Sequence, residues 1–216
     1  MNLFSVLPFT LLISFVFILI SRNAALSLDF VDRPTTRKKH SEIVPLTGGL
    51  SIYIGSLLFL LVAMPMNLNL LYLFLTSTLV FIAGLIDDSR GLTAKLRFGI
   101  QIIASLILIS GTGLYLESLG DLFGLGEVRL GIWGIPLTIF CVVGVTNAFN
   151  MFDGMDGLAG SVFINAIIGI FLFQVVQFKS LYVYFFYNQF LLFLLVACLP
   201  YLIFNLRFFS AKRIFL

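Results

Sequence analysis

Seven apolar runs separated by short polar stretches set the rhythm of this chain: roughly 3–20, 48–64, 68–86, 98–115, 134–149, 158–177 and 181–204. A helix crosses the hydrocarbon of a bilayer with about 17–25 apolar residues. Hydrocarbon offers backbone N–H and C=O groups no partners, so runs of this length predict helices that satisfy themselves. The pattern predicts an all-α fold, a polytopic transmembrane helical bundle of about seven spans. No linker, low-complexity tract or internal repeat interrupts it, so residues 1–216 read as one integral-membrane domain. The first run lacks a basic flank before it and a small-x-small cleavage site after it, which predicts a retained helix rather than a signal peptide.

The polar positions between the runs are not spread evenly. With the N-terminus outside, the inner loops hold 11 of the 13 Lys and Arg residues, and the outer loops hold only Arg129 and Lys179. This asymmetry predicts that orientation. It also sends three polar clusters to the cytoplasmic side: "DFVDRPTTRKKHSEIVPLTGG" (29–49), "LIDDSRGLTAKLR" (85–97) and the end of the fifth span, 147–157. The outer loop 116–133 is acidic and glycine-rich, and predicts a small hairpin ending at an interfacial Trp133.

Composition agrees. The chain is 60% hydrophobic and 11% charged, against about 25% charged in ordinary soluble domains, and its mean hydropathy is +1.12. Cys141 and Cys198 both lie in apolar runs, which suggests neither a disulfide framework nor a metal site. The net charge of +3 is small and follows from topology, so nucleic acid is not an expected partner.

Chemistry is concentrated in the clusters. Asp87 and Asp88 are adjacent carboxylates where a helix leaves the membrane. A solvated helix end would explain them, but the macrodipole disfavours negative charge at a helix C-terminus. Paired carboxylates at that place suit Mg²⁺, a hard cation with oxygen ligands, or a diphosphate-bound metal. In "NAFNMFDGMDGLAG" (147–160), Asn147 and Asn150 would share a helix face, as would Asp153 and Asp156 if the helix continued. Gly154 and Gly157 predict a break. One Asn or Asp is enough for a cap, and four polar groups at the edge of hydrocarbon point to function. "RKKH" (37–40) by itself reads as a topological anchor or an anionic-lipid contact. Beside two carboxylate clusters, its cations and Gly48–Gly49 fit phosphate oxygens. Together these parts describe phosphoryl transfer at a membrane surface.

At these residues the chain resembles the polyprenyl-phosphate N-acetylhexosamine-1-phosphate transferases, the MraY/WecA family. "DRPTTRKKHSEIVPLTGG", "GLIDDSRGLTAKLRFGIQ" and "NAFNMFDGMDGLAG" stand in the family's order and spacing. The "NAFNM" form and the "RKKH…PLTGG" loop look more like the branch that starts O-antigen and enterobacterial common antigen than the peptidoglycan branch. The resemblance implies transfer of N-acetylglucosamine 1-phosphate from UDP-N-acetylglucosamine to undecaprenyl phosphate, with release of UMP. It implies Mg²⁺ (or Mn²⁺), a site facing the cytoplasm in the cell inner membrane, and leaves homodimerisation open. By motif match it makes Asp87, Asp88, Asp153 and Asp156 catalytic, with Asp87 and Asp88 also metal-binding. It gives Asn147, Asn150, Lys39, His40 and Lys95 to substrate binding.

One departure bears on activity. Family members continue past a segment like "AKRIFL" into a Gly-Asp-Ala-Gly-Ser motif, whose aspartate is a metal ligand, and later a His-rich loop. This sequence stops at Leu216, before both, and so resembles a C-terminally truncated member, about the first two-thirds of the family fold. The expectation is a chain that inserts in the membrane but does not release UMP. Two other readings compete. A transporter or lipid-binding protein would carry ionisable groups near mid-span, whereas all ten acidic residues fall in loops or at helix ends. The CDP-alcohol phosphotransferases also use Asp-Gly pairs, but "DGLAGSVF" lacks the arginine of their motif.

Overall fold

A computed structural model describes residues 3–27, 31–32, 44–45, 47–63, 66–152, 157–178, 185–206 and 214. Their elements are α1 (Leu3–Ser27), β1 (Val31–Asp32), β2 (Val44–Pro45), α2 (Gly48–Ala63), α3 (Leu68–Arg90), α4 (Ala94–Thr112), α5 (Gly134–Phe152), α6 (Leu158–Phe178) and α7 (Phe185–Asn205). A short 3₁₀ turn, Gly131–Trp133, leads into α5. Each predicted span has its helix, and six are long and apolar enough to cross a membrane; the apolar part of α2, Gly48–Leu61, is shorter. The all-α bundle stands. Among the described residues the strands are one antiparallel two-residue pair, with Val31 opposite Pro45 and Asp32 opposite Val44.

Helix ends differ from the apolar runs in an instructive way. Helix α3 continues past the greasy stretch to Arg90, so Asp87 and Asp88 lie in its last turn rather than beyond it. Helix α4 starts at Ala94, four residues before its apolar run, because Thr93 caps it by accepting from the Leu96 N–H. Apolarity marks where the membrane is; capping chemistry marks where the helix ends.

The chain divides into two compact units. The first comprises Met1–Pro65 and Phe152–Leu216 and contains α1, α2, α6 and α7, with α1, α2 and α7 in mutual contact and α6 against α7. Its centre is Ile18, Cys198, Tyr201 and Ile214, flanked by Ile52, Phe163, Leu202 and Phe204. The Phe59 and Phe193 rings stack with centroids 4.1 Å apart. Small residues set the closest approaches. A Cβ on Gly55 would lie 2.9 Å from the Ser14 hydroxyl, and one on Gly160 would lie 2.6 Å from a Leu202 methyl. Between α6 and α7, Gln174 and Asn188 exchange two hydrogen bonds, 2.9 and 2.7 Å long, and both are buried.

The second unit, Met66–Met151, contains α3, α4, α5 and the loop between the last two. Helices α3 and α4 form an antiparallel pair closed by a three-residue turn. The buried positions of α4 are Gln101, Ala104, Ser105 and Ile109, a stripe at three- and four-residue spacing. Ile102, Ile103, Leu106 and Ile107 of the same helix are exposed. Small and polar residues inside with large aliphatics outside is the reverse of a water-soluble helix. It is what packing in lipid favours, since lipid gives no hydrophobic drive for helices to associate.

Asn188→Leu removes both bonds from the buried Gln174 amide and should destabilise the first unit by about 1–2 kcal/mol, the scale of an interhelical bond in a membrane. The double variant Gln174→Leu/Asn188→Leu should lose less than the sum of the single losses. Reversible unfolding in mixed micelles measures both, and strict additivity would show that the two amides act independently.

Candidate functional site

Asp87 stands in the last turn of α3, and its main-chain oxygen accepts the capping N–H of Gly91. Its side chain is occupied on both oxygens: Oδ1 accepts from the Leu92 N–H at 2.7 Å, and Oδ2 accepts from Nη1 of Arg97 at 2.7 Å. The carboxylate is only 14% exposed. These contacts resolve the macrodipole objection. Asp87 sits where α3 disfavours a negative charge, but its oxygens reach across the turn toward the N-terminal end of α4, which favours one. Gly91, with φ of 71°, lets the chain reverse tightly enough for that reach. Asp88 and Lys95 are exposed on either side of the same turn, and Asp88 has interactions of its own. The buried Nε of Arg97 has no hydrogen-bond partner.

The second described group is on α5. Asn147 donates from Nδ2 to Oε1 of Gln101 at 2.6 Å and to the Val143 carbonyl at 2.8 Å. Helix α5 runs unbroken to Phe152, so Asn147 and Asn150 do lie three residues apart on one helix; Asn150 is exposed. Gln101 is 6% exposed. It follows Arg97 by four residues on α4, about 6 Å along the axis and on the same face. One face of α4 therefore holds Asp87 through Arg97 and Asn147 through Gln101. Two of the three clusters expected to converge are joined through this helix.

Other expected site residues fall elsewhere. Lys39, His40, Asp153 and Asp156 lie outside the described residues. Gly157, which follows Asp156, is described and bears out the predicted break: its φ is +72°, and a Cβ there would run into a methyl of Leu206. Its N–H donates to Oδ1 of Asn205, and Asn205, wholly buried, donates from Nδ2 to the Ile214 carbonyl at 2.8 Å. Gly48 and Gly49, whose cluster was matched to phosphate oxygens, are the first two residues of α2. Thr47 precedes them with its hydroxyl buried and without a hydrogen-bond partner.

Sequence reasoning passed over Arg97, Gln101 and Asn205. Arg97 was counted only as a topological charge. Gln101 is uncharged and so left the apolar run unbroken. For Arg97 and Gln101 the available signal was their four-residue spacing near the start of α4.

Among the described residues, no three His, Cys, Asp or Glu side chains cluster to form a metal cage. The residues present still fit a phosphate-bound cation. A carboxylate has about four acceptor sites, so Asp87 keeps capacity after Leu92 and Arg97. Mg²⁺ commonly takes one or two carboxylates, with the rest of its shell from water and substrate phosphates.

The glycosyl transferase family 4 model matches residues 70–216. An undecaprenyl-phosphate alpha-N-acetylglucosaminyl 1-phosphate transferase of Escherichia coli K12 is 40% identical over 160 residues, which cover 74% of this chain and 42% of the relative. The protein of the same name from Yersinia pestis is 38% identical over 155 residues, 71% of this chain and 42% of that one. A probable undecaprenyl-phosphate N-acetylglucosaminyl 1-phosphate transferase of Bacillus subtilis is 34% identical over 141 residues, 65% of this chain and 39% of that protein. The matched stretch thus spans less than half the length of these relatives. The family match includes the Asp87–Arg97 turn, the Gln101–Asn147 pair and the Gly157–Asn205 contact. The chain belongs to glycosyl transferase family 4.

Proposed function

We propose that this chain carries part of the machinery that transfers N-acetylglucosamine 1-phosphate from UDP-N-acetylglucosamine to undecaprenyl phosphate, releasing UMP and starting lipid-linked O-antigen or enterobacterial common antigen synthesis. The observation that carries the reading is the 40% identity to relatives named for that transfer. In the reaction an oxygen of the lipid phosphate bonds to the sugar-linked phosphorus, and the bond from that phosphorus to the oxygen of the departing UMP breaks. Positioning and charge stabilisation supply almost all the catalysis in such a step. Both units belong, in this reading, to one transferase domain of the inner membrane, with the N-terminus outside and the site facing the cytoplasm.

The roles follow from the chemistry of each group. Asp88 and the remaining lone pairs of Asp87 would hold Mg²⁺ or Mn²⁺, which neutralises diphosphate charge when bound. Arg97 holds the Asp87 carboxylate in one orientation. Asp153 and Asp156 are the other catalytic carboxylates, and Asn147, Asn150 and Lys95 contact the nucleotide sugar. Lys39 and His40 meet phosphate oxygens. A transporter finds no support: among the described residues, no Asp or Glu lies in the middle of a membrane-spanning helix.

Three outcomes test this reading. A single cysteine at Ser41, in a variant without Cys141 and Cys198, should resist a membrane-impermeant thiol reagent in intact cells; ready labelling there would reverse the orientation. For catalysis, the gene's complete reading frame is expressed in a host lacking its own enzyme, and UMP release is followed with both substrates and Mg²⁺. Asp87→Asn, Asp88→Asn, Asp153→Asn and Asp156→Asn should each lower turnover about 10²-fold or more, the scale of losing one preorganised charge. Near-normal turnover in all four, or no UMP release by the unaltered protein, would sink the proposal.

The third outcome separates the structural part of Asp87 from its chemistry. Asp87→Asn and Arg97→Gln should each lower the unfolding midpoint, by about 2–4 °C per kcal/mol lost in a chain of this size. Because each removes the same ion pair, the two losses should not add in the double variant. Additive losses would show that the pair contributes nothing to the turn.

A further inference from the structure

Residues 113–133 join α4 to α5 at the end of the second unit away from Asp87. They form a hairpin with a defined stem. Ser118 and Arg129 make an antiparallel bridge. Around it the Leu119 N–H donates to the Val128 carbonyl, the Val128 N–H to Gly120 and the Leu130 N–H to Glu117, at 3.0, 3.0 and 2.9 Å. Asp121 closes the tip by accepting from the Gly126 N–H at 3.2 Å. The hairpin is also strapped to α5. The Leu116 N–H donates to Oγ1 of Thr138 in the first turns of that helix, at 2.9 Å. A Cβ on Gly134 would run into the Leu116 carbonyl oxygen, so only glycine admits this contact without a shift.

Polarity along the hairpin is inverted relative to a loop that projects into water. Glu117, Glu127 and Arg129 are on the stem, where Arg129 Nε donates to Glu127 Oε2 at 3.1 Å, and Asp121 stands at the neck of the tip with its Oδ1 on the Gly126 N–H. Ser118 and then Arg129 hold the Glu127 carboxyl below its ordinary range, so that end stays ionic. The tip is apolar and bare: Leu122 is 58% exposed, Phe123 76% and Leu125 91%. Ile132 and Trp133, in the 3₁₀ turn below, are 83% and 69% exposed. Single exposed apolar residues are ordinary, but five gathered on one short loop mark a contact surface.

We infer that this hairpin is a membrane-interface anchor: its Leu122–Leu125 tip lies in the lipid headgroup and upper acyl region beside α4 and α5. Lipid is the occupant that the rest of the unit specifies. The loop begins and ends on two membrane-spanning helices, so it starts at the bilayer surface. Exposed aliphatic residues of α4, and Ile135 and Phe140 of α5, continue the same apolar surface into the hydrocarbon. Trp133 stands between them, where an amphipathic ring prefers the headgroup level. The strap to Thr138 keeps the stem against α5, and the four steps from Ser118 to Leu122 span at most about 13 Å, enough to bring the tip onto surrounding lipid. The stem charges remain at the water edge, as in other interfacial elements.

The chain has one tryptophan, which makes the test direct. In a Trp133→Phe background, Phe123→Trp reports on the tip, and Leu125→Trp repeats the reading at the most exposed position. Each is reconstituted as the full chain in phosphatidylcholine–phosphatidylglycerol nanodiscs, with and without lipids brominated at shallow or deep acyl positions. Emission should be blue-shifted, strongly quenched by shallow bromines, and several-fold less quenched by iodide than free tryptophan amide. Water-like emission with full iodide access would show a loop projecting into solvent and overturn the anchor. Blue-shifted emission insensitive to every brominated lipid would mean that protein, a second copy included, covers the tip, and would overturn it equally. The readout needs no catalytic activity, so it stands apart from the transferase reading.

Discussion

Hydrocarbon supplies no hydrogen bonds, and every polar side chain carried into it must find its partner in the chain. The short hydroxyls answer locally: Ser56, Thr76, Ser105 and Thr146 donate to the carbonyl four residues earlier in their own helices. The amides are longer, and several also answer beyond their own helix. Gln174 meets Asn188, Gln101 meets Asn147, and Asn205 gathers Gly157 and Ile214. The first two pairs each fix a register between two helices that dispersion and small-residue contacts would leave free to slide.

The site inherits its geometry from this constraint. Arg97 and Gln101 are one turn apart near the start of α4, and each has its partner on a different neighbour. Rotating α4 by a single residue would break the ion pair to α3 and the amide bond to α5 together. The turn that carries Asp87 and the helix that carries Asn147 are thereby held to a common reference in a bundle with little hydrophobic drive for packing. In the first unit, Asn205 and Leu206 perform a related task at Gly157, where the chain leaves the signature stretch and enters α6.

Much of this was legible in the sequence, and the parts that were not failed for physical reasons. The seven runs found seven helices because desolvation dictates span length almost alone. The hairpin at 116–133 was read from its glycines and acids, and its bridge at Ser118 and Arg129 bears that out. Helix ends were misjudged because apolarity reports the membrane boundary, while Thr93 and Gly91 decide where hydrogen bonding starts and stops. Asp87 was read for chemistry alone, and its part in closing the α3–α4 turn depends on a residue ten positions away. Gln101 and Asn205 were missed because a single amide in an apolar run looks neutral until its partner is known.

The Gln101–Asn147 bond has a consequence for what α5 can recognise. An asparagine amide has two hydrogens on nitrogen and one carbonyl oxygen. At Asn147 one hydrogen goes to Gln101 and the other to the Val143 carbonyl, so the nitrogen has none left to offer. Only the oxygen remains. Asn147 therefore has the polarity of a bare carbonyl: it welcomes a hydroxyl, an amide N–H or a cation, and a phosphate oxygen brought to it would meet like charge.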